Sequence, residues 1–378
     1  MCILSIPVSR LGPAFLPGKF ADAWSEGSPI RRFTTQSGDR NQAMAFLKRG
    51  GTLVVTGAWP GICSLSREVV KRERELVPRT QDRRERAHAA RHLHRRVLTT
   101  LDSLPLGDSE ITEADLPGFL GENSLPDGVP TLLPVHEAEQ ILAIPQDECP
   151  VRAIGASVVT HPDVLAPQSQ ETIDLVCEAI AGCEPGLPDS PRVLDMGCGS
   201  GVLTIAAWQL LGHKSPRITA TDILPEAVAT TRLNWRRLAA IGKAGPEHVL
   251  TTHSGSLFEP VQGRLFDLVI FNAPWVVAPA RNRAELALND ERQATIEAFI
   301  DSSPGYLSRG GRVIIGYAAN AGPKAMLRLE SFISAAGLVI EHIHKDRIHT
   351  RRAKRQWESV YAYVLGAVEH ERTNSCSD

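Results

Sequence analysis

The sequence lacks cysteine pairs, long apolar runs and a uniform charge, and each absence removes a class of protein. Its seven cysteines are scattered and none stands in a C-x-x-C pair, so neither a zinc site nor a disulfide framework is expected. No uninterrupted apolar run is long enough to cross a bilayer, and the first residues lack the basic region and cleavage site of a signal peptide. These absences favour a cytoplasmic protein without a bound metal.

Charge is small overall but strongly segregated. The formal net charge is −2, yet residues 67–96 carry eleven Lys or Arg against five acidic residues, whereas residues 97–151 carry eleven acidic residues and neither Lys nor Arg. A uniform basic surface for nucleic acid is therefore missing. We interpret the acidic stretch as a solvated face, with attraction of a cationic substrate or a basic partner as the alternative.

The pattern of apolar residues divides the chain into two regions and a tail. Residues 1–150 are expected to form a mainly helical accessory region of unassigned role, with helices over residues 64–103. Residues 151–368 alternate regularly between strands and helices, which is typical of a mostly parallel sheet covered on both faces. The last two strands follow each other without a helix, so we expect them to pair antiparallel. Residues 369–378 are expected to be disordered.

A glycine-rich turn in VLDMGCGSG, Val193–Gly201, is the strongest motif. An apolar strand ends at Asp195 and is followed by Gly197, Gly199 and Gly201, which allow a tight turn and a close approach of a ligand to the main chain. The dinucleotide fingerprint would require glycine at the position of Val202, so a nucleotide without a pyrophosphate fits better. Asp222 ends the next strand, where a carboxylate can accept hydrogen bonds from ribose hydroxyls.

These motifs resemble those of class I S-adenosylmethionine-dependent methyltransferases over about residues 155–365. The resemblance implies a seven-stranded Rossmann-like sheet with helices on both faces and S-adenosylmethionine as the cofactor. It implies that Asp195 and the loop Gly197–Gly201, including Cys198, hold the methionine part of the cofactor. Asp222 would bind the ribose, Ile223 would pack on the adenine, and Ser256 stands where the family often contacts the adenine amino group.

A second motif, Asn272-Ala273-Pro274-Trp275, follows the fourth strand of this region. It resembles the Asn-Pro-Pro-Tyr loop of methyltransferases that act on planar nitrogens, including the release-factor glutamine methyltransferases. The resemblance implies that Asn272 Oδ1 and the carbonyl of Ala273 accept hydrogen bonds from the acceptor nitrogen, which positions it without a base. Asn272 would also border the cofactor, Pro274 would shape the loop and Trp275 would stack on the acceptor. Ala273 departs from the family's proline.

Two further segments are candidates for a role in the site. His161–Thr172 is similar to a cofactor-lining segment of the glutamine methyltransferases, with Gln168 in place of an arginine, and His161 is a candidate general base. Lys345–Arg355 carries six basic residues against one acid and is a candidate grip for phosphate or an acidic surface. Each also has a purely structural interpretation. In that interpretation Ser169 or Thr172 only caps the helix that follows, His161 is a structural histidine, and Lys345–Arg355 is a solvated loop.

The sequence therefore predicts an S-adenosylmethionine-dependent N-methyltransferase that acts on a planar nitrogen of a protein, a peptide or a small-molecule amide or amine. The alternatives are methylation of an exocyclic amine in RNA or DNA, and O- or C-methylation of a secondary metabolite. A scaffold without catalysis is a fourth possibility, which the intact loops disfavour. The acceptor, the oligomeric state and the role of residues 1–150 stay open.

Overall fold

The structure is a computed structural model, which describes residues 14–23, 28–77, 82–281, 283–349 and 357–367. Contacts divide the chain into two compact units, Met1–Asp147 and Glu148–Asp378. The predicted tail, residues 369–378, lies outside the described residues. Within the described residues, no helix combines the length and the apolar character that a membrane span requires.

The first unit is built on a four-stranded sheet in the order β1-β2-β3-β4, in which β4 alone runs antiparallel to its neighbour. Its strands are β1 (Ile30–Thr34), β2 (Thr52–Thr56), β3 (Val97–Thr100) and β4 (Leu132–Pro134). Its helices are α1 (Arg40–Lys48), α2 (Trp59–Lys71), α3 (Glu73–Leu76), α4 (Arg83–Arg95), α5 (Leu116–Phe119) and α6 (Val135–Ala143). Helices hold more of the described residues of this unit than strands do.

One detail of the predicted helices was wrong. Residues 97–100 were included in a helix because Leu93, Val97 and Leu101 have helical spacing, but they form β3. All four residues of β3 are buried, and Thr99 Oγ1 donates to Val55 O in the neighbouring strand at 3.1 Å. The helical spacing of Leu93, Val97 and Leu101 is a weak signal, because it rests on one apolar side chain per turn. Burial of residues 97–100 between neighbouring strands therefore decided their conformation.

The second unit has a seven-stranded sheet in the order β12-β13-β11-β10-β7-β8-β9. Its strands are β7 (Arg192–Met196), β8 (Arg217–Asp222), β9 (Leu250–Ser254), β10 (Phe266–Asn272), β11 (Leu307–Ala318), β12 (Leu338–His349) and β13 (Trp357–Ala367). A separate hairpin is formed by β5 (Glu148–Val151) and β6 (Ala156–Val159). The five strands from β7 to β11 are parallel, and β13 is antiparallel to β11 and β12. The predicted seven-stranded sheet and the antiparallel pairing of the last two strands are confirmed.

Helices cover both faces of this sheet. They are α7 (Gln170–Cys183), α8 (Val202–Leu211), α9 (Pro225–Ala240), α10 (Ala294–Ser302) and α11 (Pro323–Ala335). One apolar cluster joins α7, α8 and α9 to one face, and a second joins α10 and α11 to the other. The chain proceeds from β7 outward to β9 and then returns to β10 on the other side of β7, so the strand order reverses between β7 and β10. Ligands of open α/β sheets bind at the carboxyl ends of the strands at such a reversal.

Candidate active site

The glycine turn leaves β7 at this reversal and leads into α8. Gly199 and Gly201 have φ angles of +54° and +81°, in the left-handed region that side chains disfavour. A Cβ added at Gly201 would also lie 3.0 Å from Thr231 Cγ2 on α9, so the turn is packed closely as well as bent. Glycine is therefore required here on two independent grounds.

Asp195 lies beneath this turn, at the end of β7. It is 1% exposed, and its Oδ2 accepts a hydrogen bond from Thr204 Oγ1 on α8 at 2.5 Å. Its Oδ1 is buried and has no hydrogen-bond partner. Burial, reinforced by the charge of Asp222, raises the pKa of Asp195 to about 7, although the Thr204 hydrogen bond acts in the opposite direction.

Asp222 ends β8 and contacts the glycine turn directly. Its Oδ2 accepts from the Gly199 N–H at 3.0 Å, and its Oδ1 accepts from the Leu224 N–H at 2.9 Å. Burial raises the pKa of Asp222, and these backbone hydrogen bonds partly offset the rise. The carboxylate is thus fixed beside the turn with lone pairs left for further donors.

Asn234, a residue that the sequence reasoning missed, ties the turn to the rest of the unit. Its Nδ2 donates to the carbonyls of Ser200 and Val159, at 2.9 and 2.8 Å, and its Oδ1 accepts from the Val159 N–H at 2.9 Å. The side chain is fully buried. No motif marks it, because an asparagine inside a helix carries no signal of its tertiary partners.

A cavity of about 490 Å³ opens between the glycine turn and the acceptor loop, residues 272–275. Such a volume is within the usual range for sites that bind small molecules and cofactors. Nine of the predicted site residues line it, namely Gly197, Cys198, Gly199, Asp222, Ile223, Ser256, Asn272, Pro274 and Trp275. Asp195, Gly201 and Ala273 are not among the lining residues; each is next to, or one residue away from, residues that do line the cavity.

The lining is almost free of ionisable groups. Among the described residues that line the cavity, Asp222 is the single acidic side chain, and none is Lys, Arg or His. Burial raises the pKa of the Cys198 thiol well above its usual value, so that this group is neutral. The other polar side chains of the wall are neutral hydroxyls and amides, namely Gln168, Ser169, Ser200, Thr221, Ser256, Asn272, Asn289 and Thr295.

The acceptor loop begins at Asn272, the last residue of β10. Asn272 Oδ1 is buried without a hydrogen-bond partner, and a Cβ added at Gly316 of β11 would lie 2.6 Å from it. The Ala273 N–H donates to Gly316 O at 3.1 Å, and the Ala273 side chain is fully buried in the core. Trp275 packs partly against both apolar clusters while it lines the cavity.

The segment after the acceptor loop, Val276–Asn289, is called the strap here. The Val276 N–H donates to Leu288 O at 2.8 Å and Val276 O accepts from the Asp290 N–H at 2.9 Å, which closes the strap into a loop. Leu286, Ala287 and Asn289 of the strap line the cavity. The sequence reasoning missed these residues, since the strap contains no pattern that would have pointed to them.

The strap is also held to α9, on the side of the cavity that carries Asp222. Arg283 Nη2 donates to Glu226 Oε2 at 2.7 Å. Glu226 is fully buried in the first turn of α9, four residues after Asp222, whereas the Arg283 side chain is 42% exposed. This ion pair links the strap to α9, the helix that follows Asp222.

The upstream segment is partly confirmed as a wall of the cavity. Val164–Ser169, including Gln168, line it, and Ser169 Oγ lies 2.7 Å from Thr172 Oγ1 at the start of α7. His161 is not among the lining residues; it is 4% exposed and its Nδ1 accepts from the Asp163 N–H at 3.1 Å. Its position supports a structural role rather than that of a general base.

No group of three His, Cys, Asp or Glu side chains with metal-binding geometry occurs among the residues for which coordinates are described. The basic segment Lys345–Arg355 is described only as far as residue 349, in β12, and residues 350–356 lie outside the described part.

Comparison with known proteins relates the second unit to methyltransferases. Residues 156–341 match the family model "Methyltransferase small domain". A release factor glutamine methyltransferase of Geobacter sulfurreducens is 28% identical over 43% of this chain and 55% of its own length, and one of Bordetella pertussis is 30% identical over 50% and 66%. A ribosomal RNA small subunit methyltransferase C of Chromohalobacter salexigens is 28% identical over 43% and 42%. The chain spans less than two thirds of each of these relatives.

The site's residues fit the methyl donor that this family implies, S-adenosylmethionine. The glycine turn leaves its backbone open to a ligand, Asp222 presents a fixed carboxylate, and Asp195 Oδ1 and Thr221 Oγ1 are buried polar atoms without partners near the turn. The match to the methyltransferase small-domain model lies within the second unit and includes both the glycine turn and the acceptor loop.

Proposed function

We propose that this protein transfers a methyl group from S-adenosylmethionine to the nitrogen of a primary amide, the glutamine side chain of a protein or peptide. The observation that carries the proposal is Asn272 Oδ1, a buried hydrogen-bond acceptor without a partner, on a residue that lines the cavity. An unpaired buried acceptor costs roughly 1–3 kcal/mol, which an N–H of the substrate would recover on binding.

Residues around the glycine turn would hold the cofactor. Asp222 would accept from the ribose hydroxyls, the open backbone at Gly197 and Gly199 would admit the methionine part, and the half-exposed Ile223 would pack on the adenine. S-adenosylmethionine, when bound, supplies an electrophilic methyl group on a sulfonium sulfur. The neutral wall leaves Asp222 as the only charged side chain among the described lining residues to face this cationic ligand.

Among the described lining residues Asp222 is the only carboxylate and none is Lys or His. Because we assign Asp222 to the cofactor, no ionisable base is left for the acceptor, which limits its chemistry. A lysine amine is protonated near neutral pH and must lose a proton before it can react, and an alcohol or phenol oxygen also needs a base. An amide nitrogen is already neutral, and its proton becomes strongly acidic once the nitrogen is alkylated, so water can remove it. Asn272 positions the N–H and does not take up the proton that the nitrogen loses.

The names of two relatives agree with this acceptor. The proteins of Geobacter sulfurreducens and Bordetella pertussis that resemble this chain are release factor glutamine methyltransferases. The first unit, Met1–Asp147, has no counterpart in the matched family model and would serve recognition of the protein that carries the amide.

Two variants test the proposal separately for cofactor and acceptor. Asp222→Ala should weaken S-adenosylmethionine binding, measured by calorimetry, by roughly tenfold or more because a charged hydrogen-bonding group is lost. Asn272→Ala should bind the cofactor normally and lower methyl transfer to a glutamine-containing acceptor by about 10²–10³-fold. Near-normal transfer by the Asn272→Ala variant would refute the amide assignment.

A second candidate function, methylation of an exocyclic amine in RNA, is favoured by one observation. Strand β13 pairs with β11 as far as Val360, whereas the β12–β13 hairpin continues through Ser359 to Trp357, so it extends beyond the carboxyl edge of the sheet. Lys345 and Arg347 are exposed on this hairpin. A steep decrease of RNA binding with salt, abolished in the variant K345E/R347E, would favour RNA over a protein acceptor.

A further inference from the structure

Helix α4 of the first unit carries a basic surface that the proposed function does not use. Arg84, His88 and Arg91 are exposed and follow one another at intervals of four and three residues, so they lie on one face of the helix. The buried residues of α4, Ala90 and Leu93, are on the opposite side. The three side chains, called the basic stripe here, therefore point away from the core of the unit.

Acidic residues near the basic stripe in sequence are engaged with other partners. Glu68 pairs with Arg40 and Arg72 at 3.0 and 3.2 Å, and Glu73 Oε2 lies 3.2 Å from His94 Nε2. These contacts hold α2 and α3 to their neighbours and leave the outer face of α4 without compensating charge from either carboxylate.

The two arginines of the basic stripe are free to bind a ligand. Within the part of the chain that the structure describes, no acidic side chain pairs with Arg84 or Arg91. Asp82 Oδ1 accepts from the backbone N–H of Arg84 at 2.7 Å, so this helix cap does not use the guanidinium. An arginine presents a planar fork of N–H donors that fits the oxygens of a carboxylate or a phosphate.

The spacing of the arginines fits an acidic peptide. Arg84 and Arg91 are seven residues apart, which in an α-helix is about 10 Å along the axis. Side chains three residues apart in an extended peptide are separated by about the same distance, roughly 10 Å. A segment with an acidic residue at every third position therefore matches the basic stripe.

The charge of the whole unit favours a short acidic segment over a nucleic acid. Residues 1–147 contain eighteen basic and eighteen acidic residues, so the basic stripe is a local excess of charge. A nucleic acid carries a phosphate at every nucleotide and binds well only where several of them are neutralised. Asp102, Glu113 and Asp127 are exposed in the same unit and act against such a long polyanion.

We propose that the basic stripe of α4 is a docking surface for an acidic segment of the protein that carries the methylated amide. The inference rests on the proposed function, because it takes the acceptor protein as the partner of the first unit. Docking would raise the local concentration of the acceptor and speed its encounter through electrostatic attraction. It would thus lower KM for the acceptor and leave the methyl-transfer step unchanged.

Binding of a labelled acidic peptide to the full chain tests the docking surface without turnover. The probe is a Gly/Ser peptide with glutamate at every third position and no glutamine, followed by fluorescence anisotropy. The unaltered protein should bind it, and added salt should weaken the binding because exposed charges are screened. The variant R84E/R91E should bind roughly tenfold more weakly, since two attractive pairs become repulsive. R84K/R91K keeps both charges and should retain most of the affinity.

The variant R217E/R264E is the matched control, since it makes the same change of net charge at exposed positions of the second unit. Arg217 begins β8 and Arg264 precedes β10, at the amino ends of these strands and away from the cavity. This variant should bind the peptide as the unaltered protein does. Thermal unfolding shows whether each variant is folded, and R84Q/R91Q, which removes the charges without reversing them, should weaken binding in the same direction.

Turnover then connects the docking surface to the acceptor. A glutamine peptide extended by the acidic segment through a Gly/Ser linker should have a KM roughly tenfold lower than the unextended peptide and the same kcat. R84E/R91E should abolish this difference. An equal KM for the two peptides at every linker length would refute a role of the basic stripe in acceptor recognition.

The remaining outcomes separate the inference from the proposed function. If the unaltered protein does not bind the acidic peptide, or the folded R84E/R91E variant binds it equally well, the docking surface is overturned. If oligouridine of the same charge binds α4 more tightly than the peptide, the acidic-protein assignment is overturned in favour of a nucleic acid. If the peptide binds through α4 but no glutamine-containing acceptor is methylated, the proposed function fails while the docking surface stands.

Discussion

Gly316 on β11 lies directly against the amide of Asn272 on β10. The two residues are paired in register, and a Cβ at position 316 would come within 2.6 Å of Asn272 Oδ1 and 3.4 Å of its Cα. The distance to Oδ1 is shorter than van der Waals contact, so any side chain at position 316 forces the amide to move. The orientation of the proposed acceptor-binding group, the Asn272 amide, is therefore set by a residue on the neighbouring strand.

Gly316→Ala should consequently lower methyl transfer while leaving cofactor binding intact. The added methyl group displaces Asn272 Oδ1, and a displacement of about 1 Å can reduce turnover by roughly 10²-fold. Single-turnover methyl transfer and calorimetric titration with S-adenosylmethionine measure the two effects. Gly305→Ala is the matched control, because a Cβ there meets no atom within 4 Å. Equal turnover in the two variants would show that the amide orientation is unimportant.

The ion pair between Arg283 and Glu226 leads to a second prediction, which concerns the mobility of the strap. Arg283→Leu leaves the fully buried Glu226 carboxylate without this guanidinium. Because the Arg283 side chain is 42% exposed, solvent screens the pair, and we expect a loss of about 1–2 kcal/mol. Hydrogen exchange of the amides in Val276–Asn289 should become faster.

Arg281→Leu provides the comparison within the same strap. Arg281 pairs with Glu285 at 2.8 Å, but its side chain is 83% exposed, so its loss should leave both exchange and stability unchanged. Equal acceleration of exchange in both variants would mean that the strap responds to any loss of charge. It would then argue against a specific link between the strap and α9.

The cofactor half of the site was accessible from the sequence because its signals are local. The glycines stand within five positions of one another after an apolar strand, and Asp222 ends the next strand. Because the carboxyl ends of neighbouring parallel strands lie at the same edge of the sheet, these residues are expected to meet there. The structure places Gly197, Gly199 and Asp222 on one wall, as the pattern indicates.

The acceptor half was only partly accessible, since its geometry depends on contacts between distant residues. Asn289 reaches the cavity through a bridge to Val276, and Gly316 acts through strand register, neither of which leaves a pattern in the sequence. Asp195 belongs to the motif, yet it faces Thr204 beneath the turn rather than the cavity, because the direction of a side chain at a strand end depends on packing.

The pKa of Asp195 gives the third prediction, a dependence of stability on pH. Burial raises this pKa from 3.8 to about 7, so the folded state binds a proton more tightly at Asp195 than the unfolded state does. Its contribution to the free energy of unfolding is fully present below about pH 4 and is lost as the pH rises through about 7. The loss is at most about 4 kcal/mol, the equivalent of about three pKa units.

Asp195→Asn removes this titration and still offers an oxygen to Thr204 Oγ1. The variant should therefore gain stability relative to the unaltered protein as the pH rises from about 4 to about 7, and the difference should then level off. Urea unfolding at a series of pH values measures it. Asp267→Asn should show the opposite sign in a different range: although burial opposes it, hydrogen bonds from Ser308 and Arg192 lower the Asp267 pKa below 3.8. Its carboxylate therefore stabilises the fold above about pH 4, and the variant should become less destabilised relative to the unaltered protein only as the pH falls below about 4. A stability difference at Asp195 that does not change with pH would show that this carboxyl group is already ionised throughout the range.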